Sequence, residues 1–414
     1  MDAIARALQY NLGLLNAERT VDRARSARER ELADLLPTVS GRLMETRQKV
    51  SLAAFGFPLP AGIPSVVGPF NVFDARVYVS QAVLDFKALN DVRAETHNAA
   101  AEQYSYRSAR DLVVLVAGGA YFQTLAASAR AESARAQLRT AEALHNQAGN
   151  LKESGLVAGI DVLRAEVQLS TARHRASASE NELEKAKLQL ARLIGLPLGQ
   201  AIVLRDQVPT MPVPDLTLEE ALARAYKARP DYQAALERVQ AAEATRRAIA
   251  GETLPSLRVN ADFGDIGPSP SDARGTFVVT GAVNVPIFQG GRTRARLAEA
   301  DADVRSRKAE AEDLRAGIYY DVRSAFLDLR TTGDQLSAAM RARELADQQL
   351  TQARDRFAAG VADNIQVVQA QEAVTMAAEQ YIAALYGNSV ARGLLARGLG
   401  VAEEAARQYF GGNR

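Results

Sequence analysis

The sequence predicts a mainly α-helical fold in which one unit, built from long coiled-coil helices and a β-hairpin, occurs twice. The first observation is a pair of proline-free segments, residues 88–148 and 292–359, rich in Ala, Arg, Glu, Gln and Leu. A helix of about 60 residues is roughly 90 Å long, far beyond an ordinary globular helix. The other two observations are an internal repeat and a change to period-two patterning after the first helix of each half.

Each long segment ends at a matching turn. In both turns a glycine, Gly155 or Gly360, is followed within a few residues by the pattern Ile-x-Val-(Leu/Val). Glycine ends helices well because it adopts a positive φ without strain. The sequence therefore predicts that each long helix turns back into a shorter one.

The two halves of the chain align throughout. An offset of 218 residues superimposes Leu36-Pro37-Thr38 on Leu254-Pro255-Ser256, and an offset of 205 superimposes Gly155 on Gly360. The offset changes only in loop-like stretches, which is typical of a duplication. We predict a first repeat at 1–207 and a second at 208–414, with an extended, proline-rich connector at 199–214 lying against the outside of the helices.

The elements expected in the two repeats correspond one to one. The first repeat has a helix at 2–35, strands at about 38–47 and 72–84, a long helix at about 88–150 and a helix at about 157–194. The second has a helix at 217–251, strands at about 256–264 and 276–287, a long helix at about 292–358 and a helix at about 363–398.

The period-two segments predict strands with one apolar and one polar face. In the second repeat, Val259, Ala261 and Phe263 alternate with polar residues. Each strand has about ten residues, the length that a tilted strand needs to cross a bilayer. Open sheet edges do not occur in lipid, so strands of this kind require several chains. The alternative is two soluble hairpins capping a helical protein, and their equivalent placement in the duplicated unit favours the membrane interpretation.

Composition excludes several classes of partner. Hydrophobic residues make up 47% of the 414, but many are alanines and only 6% of residues are aromatic, which favours thin coiled-coil layers over a thick core. The net charge is +1, so the sequence indicates no nucleic-acid partner. The absence of cysteine is compatible with an oxidising compartment.

The sequence contains no run of 18 apolar residues, and we expect no transmembrane helix. Its first residues already have a helical pattern without the basic and apolar regions of a signal peptide. Either the protein is cytoplasmic, or this sequence lacks its signal peptide.

No catalytic motif stands out. The three histidines, His97, His145 and His174, lie singly in helical stretches, and Gly290-Gly291 is not followed by a phosphate-loop pattern. We therefore predict that the protein is not an enzyme and uses no cofactor or metal ion.

Together these features resemble the outer-membrane efflux protein family, the TolC-type channel-tunnels. The match rests on the duplication, the Leu-Pro-(Thr/Ser) start of each hairpin, residues 285–292 between strand and long helix, and residues 155–162 at the helix turn. The resemblance implies a homotrimer in which each chain gives four strands to one 12-stranded barrel in outer-membrane lipid, continued by a periplasmic α-helical barrel. It also implies a missing signal peptide.

As a function, the resemblance implies a passive exit duct of a tripartite efflux or type I secretion system. The partners would be a periplasmic adaptor (a membrane fusion protein) and an inner-membrane pump of the RND, ABC or MFS type. The two turns would form the periplasmic tip on which the adaptor docks. Its docking residues would be Gly155, Leu156, Val157, Ala158, Gly360, Val361 and Ala362.

The resemblance also implies a pore constriction beside the tip, formed by Asp161, Arg164, Phe357, Gln366 and Gln369. For Asp161 the alternative is an ordinary acid at a helix N-terminus, which the helix dipole favours whatever the function. Gln366 and Gln369 stand where well-studied members of the family have an acidic ring. A ring of glutamines predicts weak cation preference and weak block by polyvalent cations, because less negative field is concentrated at the pore.

The rival interpretation is a soluble coiled-coil scaffold without membrane insertion. The period-two segments discriminate between the two, because a scaffold does not need four ten-residue strands that each have an apolar face.

Overall fold

The structure, a computed structural model, describes residues 2–56, 62, 64–155, 157–204, 216–359, 361, 364–404 and 406. Within these residues the chain forms eight α-helices and one four-stranded antiparallel sheet. The helices are α1 (Asp2–Tyr10), α2 (Leu12–Ala33), α3 (Phe86–Glu153), α4 (Gly159–Leu193), α5 (Leu218–Ala228), α6 (Pro230–Gly251), α7 (Arg292–Ala358) and α8 (Asn364–Gly398). The strands are β1 (Thr38–Ser51), β2 (Val66–Leu84), β3 (Ser256–Gly267) and β4 (Arg274–Asn284).

The first helix of each repeat is divided, whereas the sequence predicted one helix in each place. In the second repeat the break is at Arg229, whose backbone is extended because a residue before proline disfavours the helical region. In the first repeat the break is at Asn11, whose side-chain oxygen accepts a hydrogen bond from the Leu14 N–H at 3.2 Å and so caps α2.

The first hairpin is longer than the predicted strands. β1 continues to Ser51 and pairs with β2 from Val66 onward, beyond an irregularity between Gln48 and Val50. In the second hairpin β4 ends at Asn284, three residues before the predicted end. The strand order is β1-β2-β3-β4, so the two hairpins join through β2 and β3 into one sheet.

The chain divides into two compact units that both repeats share. Unit 1 comprises Met1–Arg19, Gln103–Ala234 and Glu312–Arg414, and unit 2 comprises Thr20–Glu102 and Ala235–Ala311. Unit 2 includes the sheet and the adjoining parts of the helices. Each unit is therefore assembled from equivalent segments of the two halves of the sequence.

The core of unit 1 consists of apolar side chains from both repeats. Val114 of α3 is buried with Ile318 and Val322 of α7 and Leu395 and Leu399 at the end of α8, each no more than 1% exposed. Alanines fill much of the remaining contact, which allows helices to approach closely. The described part of the predicted connector, 199–204, also contributes, since Leu204 packs against this core. The rest of the connector, 205–214, lies outside the described residues.

One part of α3 is long and apolar enough to cross a membrane by length and composition, whereas we expected no such helix from the sequence. Half of that stretch is buried in the protein. Val114, Phe122 and Leu125 of α3 all belong to the core of unit 1. The apolar character of α3 is therefore accounted for by helix packing.

The shorter helices α4 and α8 end in the same way in unit 1. Gly195 and Gly400 have φ values of +66° and +71°, and the N–H of the next residue in each case donates to a carbonyl five residues earlier. This is the Schellman arrangement of a helix C-terminus. A side chain at either glycine would also collide with neighbouring atoms, since a Cβ would lie 2.7 Å from Tyr10 Cβ at Gly195 and 2.7 Å from Arg229 Cα at Gly400.

An ion cluster around the buried Arg229 fixes the junction of α5 and α6 in unit 1. Arg229 donates to both carboxylate oxygens of Asp231 at 3.0 and 2.6 Å, and its Nη1 donates to Asp321 of α7 at 2.8 Å. Its side chain is only 7% exposed, so the two carboxylates are needed to compensate the buried charge. Arg229 therefore joins the junction to the long helix.

Candidate functional site

The turn between α3 and α4 is compact and exposed. The Gly155 N–H donates to the carbonyl of Lys152 at 2.9 Å, and Gly155 has a φ of +74°. Ala158 is extended and immediately precedes α4. Leu156, predicted as a docking residue, lies outside the described residues, whereas Gly155 and Ala158 are exposed and Val157 is half-buried.

The turn between α7 and α8 is described only in part. The Val361 N–H donates to the carbonyl of Arg356 at 3.0 Å, and the Val361 side chain is 67% exposed. Gly360 and Ala362, the other two predicted docking residues of this turn, lie outside the described residues. Within the described part of this turn, Val361 therefore presents an apolar side chain to solvent.

The two turns are brought together by a small apolar cluster. Val157 packs against a buried group that includes Phe357 of α7 and Val367 and Ala370 of α8. Phe357 is 6% exposed and Val367 is fully buried. Among the residues predicted for the constriction, Phe357 therefore has its ring inside the chain's own packing, where it holds one turn against the other.

Asp161 and Arg164 form an ion pair on the first turns of α4. Arg164 Nη1 donates to Asp161 Oδ1 at 3.2 Å, and the two side chains are 42% and 17% exposed. A carboxylate in the first turn of a helix is also favoured by the helix dipole. Asp161 is thus held in place both by its neighbour and by its position in the helix.

Gln366 and Gln369 lie three residues apart on α8 and are both exposed. Residues at this spacing are neighbours on one helix surface. Val367 and Ala370, which alternate with them, point into the apolar cluster between the turns. The two amides therefore lie on the face of α8 that points away from the chain's own core.

An apolar stripe on α4 was not identified from the sequence. Ile160, Leu163 and Val167 are 52%, 57% and 63% exposed, although the same helix buries Ala165 and Leu169. Spacings of three and four residues place the three exposed side chains on one face. That spacing was present in the sequence, but only the structure shows that this face is left uncovered by the chain itself.

The four-stranded sheet has two chemically different faces, because directly paired residues of antiparallel strands lie on the same face. What we call the polar face carries Thr38, Ser40, Arg42, Asp74, Arg76, Tyr78, Ser80, Arg258, Asn260, Asp262, Arg274, Thr276 and Thr280, together with the apolar residues Met44, Val72, Ile266 and Val278. What we call the apolar face carries Val39, Leu43, Val77, Val79, Val259, Phe263, Phe277, Val279 and Val283, with the charged residues Glu45, Arg47 and Asp265 toward the hairpin turns.

The apolar face is uncovered. Leu43, Phe277 and Val279 are 74%, 73% and 67% exposed. A continuous apolar surface of this kind marks contact with lipid or with another protein. The faces therefore have the alternation that the period-two segments predicted.

No cluster of metal-ligating side chains is found within the described part of the chain. Among those residues, no group of three or more His, Asp and Glu side chains could hold a metal ion. A groove of about 660 Å³ between α3, α7 and α8 is lined by polar and apolar groups together, including Glu132, Arg343, Asp347 and Tyr381.

Comparison with known proteins gives the family. The model of the outer membrane efflux protein family matches residues 3–196 and 221–401. The chain therefore belongs to the outer membrane efflux protein family, as its resemblance predicted. A probable efflux pump outer membrane protein of Pseudomonas putida, TtgC, is 24% identical over 379 residues, which cover 89% of this chain and 76% of TtgC.

Two further similarities agree with this result. The outer membrane protein TolC of Escherichia coli is 24% identical over 336 residues, covering 76% of this chain and 67% of TolC. The open state of the MtrE outer membrane channel of Neisseria gonorrhoeae has the same fold, with a TM-score of 0.82 at 19% identity, covering 97% of this chain and 88% of that one. The mainly helical fold with a small antiparallel sheet is confirmed, and the soluble-scaffold alternative is not supported.

Proposed function

We propose that the protein is a passive exit duct of the outer membrane, working as a homotrimer in a tripartite efflux or type I secretion system. The observation that carries the proposal is the uncovered apolar face of the sheet, opposite a face of charged and hydroxyl side chains. Such a sheet matches lipid on one side and water on the other. One relative is named as an efflux pump outer membrane protein and another as an alkaline protease secretion protein. These names support export of either small molecules or proteins.

The free edges of the sheet support an assembly of several chains. β1 and β4 each pair with one strand only among the described residues. Unpaired backbone groups are not tolerated in lipid, so the edges must pair with other copies. Three chains would give one closed barrel of 12 strands, and the long helices would continue the duct into the periplasm.

Imaging of the protein extracted from membranes tests this proposal. The protein would be produced with a signal peptide, solubilised in detergent and examined by class averaging. Hollow particles with three-fold symmetry support the duct. Recovery in the soluble fraction as a thin dimeric rod would overturn it and favour the scaffold.

We further propose that the two turns form the periplasmic tip on which a helical-hairpin adaptor docks, with an inner-membrane pump behind it. The docking residues would be Gly155, Leu156, Val157, Ala158, Gly360, Val361 and Ala362, and the constriction would involve Asp161, Arg164, Gln366 and Gln369, with Phe357 holding the turns by packing. Small and apolar side chains on exposed turns support close contact with another hairpin.

Site-specific crosslinking tests the docking surface. A photoreactive amino acid at Ala158 or Val361, introduced in the producing bacterium, should give adducts that mass spectrometry identifies as a hairpin-containing adaptor. Val203, which is 75% exposed in the connector, is the matched control position. The same adduct pattern at all three positions would contradict a specific tip.

A further inference from the structure

The polar face of the sheet is unequally charged. Its cations are Arg42, Arg76, Arg258 and Arg274, and its anions are Asp74 and Asp262. The face therefore has a net charge of +2 in a chain whose overall charge is only +1. The excess is a property of this surface and not of the protein as a whole.

Both aspartates are bound to the same arginine. Arg76 Nε donates to Asp74 at 3.2 Å, its Nη1 donates to Asp262, and its Nη2 donates to the Thr276 hydroxyl at 3.0 Å. All three charged side chains are no more than 20% exposed. The negative charges of the polar face are thus held inside one hydrogen-bonded group.

The other three arginines are available to solvent. Arg42, Arg258 and Arg274 are exposed, and within the described residues no carboxylate lies at ion-pair distance from any of them. Arg42 lies over the ring of Tyr78, with 5.3 Å between its Cζ and the ring centroid. The guanidinium groups of these three arginines are therefore open to anionic solutes.

These arginines are distributed along the strands. Arg258 is paired with Ala282, near the helical end of the sheet, and Arg274 is paired with Ile266, near the β3–β4 turn. At about 3.3 Å per residue, the pairs Arg258–Ala282 and Arg274–Ile266 lie roughly 26 Å apart along β4. Arg42 lies between these levels, opposite Arg76. The level of Arg42 corresponds to Thr276, two residues along β4 from Arg274. A solute moving along the polar face would therefore meet two open guanidinium groups near the β3–β4 turn and one near the helical end of the sheet.

We propose that the polar face is an anion-preferring lining, which favours solutes that carry carboxylate, sulfonate or phosphate groups over cations. This inference rests on the proposed function, since the face lines a lumen only when the sheet closes with other copies. Three copies would direct nine open arginines into one water-filled space with low-dielectric walls, which focus their field. Guanidinium groups bind the paired oxygens of carboxylate and phosphate groups in a bidentate manner, so the preference is chemical as well as electrostatic.

Reaction rates of single cysteines with charged thiol reagents test the inference. The chain contains no cysteine, so each introduced thiol is unique. Thr280→Cys reports on the polar face, and Val279→Cys, the adjacent residue of β4, reports on the apolar face. Membrane-embedded protein would be treated with methanethiosulfonates carrying either a sulfonate or a trimethylammonium group, with each rate divided by the rate for 2-mercaptoethanol.

At low salt, the normalised sulfonate rate at Thr280→Cys should exceed the trimethylammonium rate by about threefold or more, since exposed charges act strongly when screening is weak. Adding Arg42→Gln, Arg258→Gln and Arg274→Gln should abolish or reverse this ratio. Arg47→Gln removes an exposed arginine from the opposite face of β1 and should leave it unchanged.

The outcomes separate the inference from the proposed function. If Thr280→Cys reacts without charge preference while Val279→Cys is protected, the sheet is inserted but the anion preference is wrong. If Val279→Cys reacts as fast as Thr280→Cys with both reagents, the apolar face is not in lipid, and the duct itself is overturned together with the inference.

Discussion

At the scale of single residues, the buried carboxylate of Asp111 destabilises the folded protein when it is ionised. It is 8% exposed, and its Oδ1 accepts a hydrogen bond from the Glu403 N–H at 2.9 Å. Burial raises the pKa of Asp111 above 3.8, and repulsion by Glu403 and Glu404 acts in the same direction. Because the folded state then binds the proton more strongly than the unfolded state, the free energy of unfolding falls as the pH rises above 3.8 through the folded pKa.

Asp111→Asn should therefore stabilise the protein at neutral pH. The amide oxygen still accepts the Glu403 N–H, while the buried charge is removed. Thermal unfolding should show a higher Tm for the variant at pH 7 and a smaller difference at pH 4. A lower Tm at pH 7 would contradict this account.

Asp231 is the matched control, because its pKa is shifted in the direction opposite to that of Asp111. Burial acts to raise the pKa of Asp231, but the hydrogen bonds and charge of Arg229 outweigh it and lower that pKa below 3.8. Its contribution is therefore present above the unfolded pKa and is lost as the pH falls. Asp231→Asn should cost about 2 kcal/mol or more at pH 7, because it leaves Arg229 with an incomplete set of partners.

A second prediction at the residue scale concerns Gln366 and Gln369 and the block of the channel by divalent cations. Because these side chains are neutral, we expect divalent cations to block single-channel conductance weakly. The double variant Gln366→Asp, Gln369→Asp should be blocked at roughly tenfold lower divalent concentration, since carboxylates attract the cation through short-range charge.

The control for this variant is Gln348→Asp, Gln349→Asp, which adds the same charge at exposed positions of α7. It should leave the block nearly unchanged. Tight block of the unmodified protein would show that the two glutamines do not define the constriction.

At the scale of elements, glycine fixes how the helices end. Gly155, Gly195 and Gly400 all have positive φ values, between +66° and +74°. They differ in their surroundings, because a Cβ at Gly155 would meet no atom within 4 Å, whereas one at Gly195 or Gly400 would overlap a neighbour. The same backbone conformation thus serves an exposed turn in one place and a close packing contact in the other two.

Replacing Gly155 and Gly400 by alanine should separate the cost of backbone strain from the cost of steric overlap. Gly155→Ala should cost about 1–2 kcal/mol, the price of a left-handed conformation alone. Gly400→Ala should cost about 3 kcal/mol or more, because the Cβ also meets the backbone of Arg229. Chemical unfolding of the two variants measures the difference, and equal costs would show that the close approach is relieved by small shifts.

At the scale of the whole molecule, the proposed duct places the sheet in the membrane. Val279 and Thr280 are adjacent residues in the middle of β4, one on the apolar face and one on the polar face. Val279→Lys should strongly reduce the amount of trimer extracted from outer membranes, because a lysine facing lipid at mid-depth costs about 2–4 kcal/mol.

Thr280→Lys introduces the same side chain on the polar face, which the proposed duct turns toward water, and should leave the trimer yield close to that of the unmodified protein. The comparison is made by extracting membranes with detergent and quantifying trimers by size-exclusion chromatography. Equal losses in both variants would contradict the assignment of the two faces.

Much of the architecture followed from periodicity. Proline-free segments gave the long helices, and alternation such as Val259, Ala261 and Phe263 gave the strands, because both patterns depend on local geometry. The breaks at Asn11 and Arg229 were missed, since the helical pattern continues across them in the sequence. A local cap and a proline, and not a change in hydrophobic period, decide those breaks.

The structure adds detail to the candidate site, whose roles in docking and constriction stay predictions. The glycine turns gave its location, yet the sequence could not show that Phe357 faces inward or that Ile160, Leu163 and Val167 are left uncovered. These facts depend on which helices pack together. Side chains that are equally apolar in the sequence are separated only by their neighbours in space.

By itself, the sequence determined the duplication, the two long helices, the alternating strands and the family to which the chain belongs, because each is a pattern of neighbouring residues repeated along the chain. Only the tertiary structure decided that both aspartates of the polar face bind Arg76, and that Arg42, Arg258 and Arg274 lie open on the same face. The physical reason is strand register, since pairing between distant segments sets which charges meet.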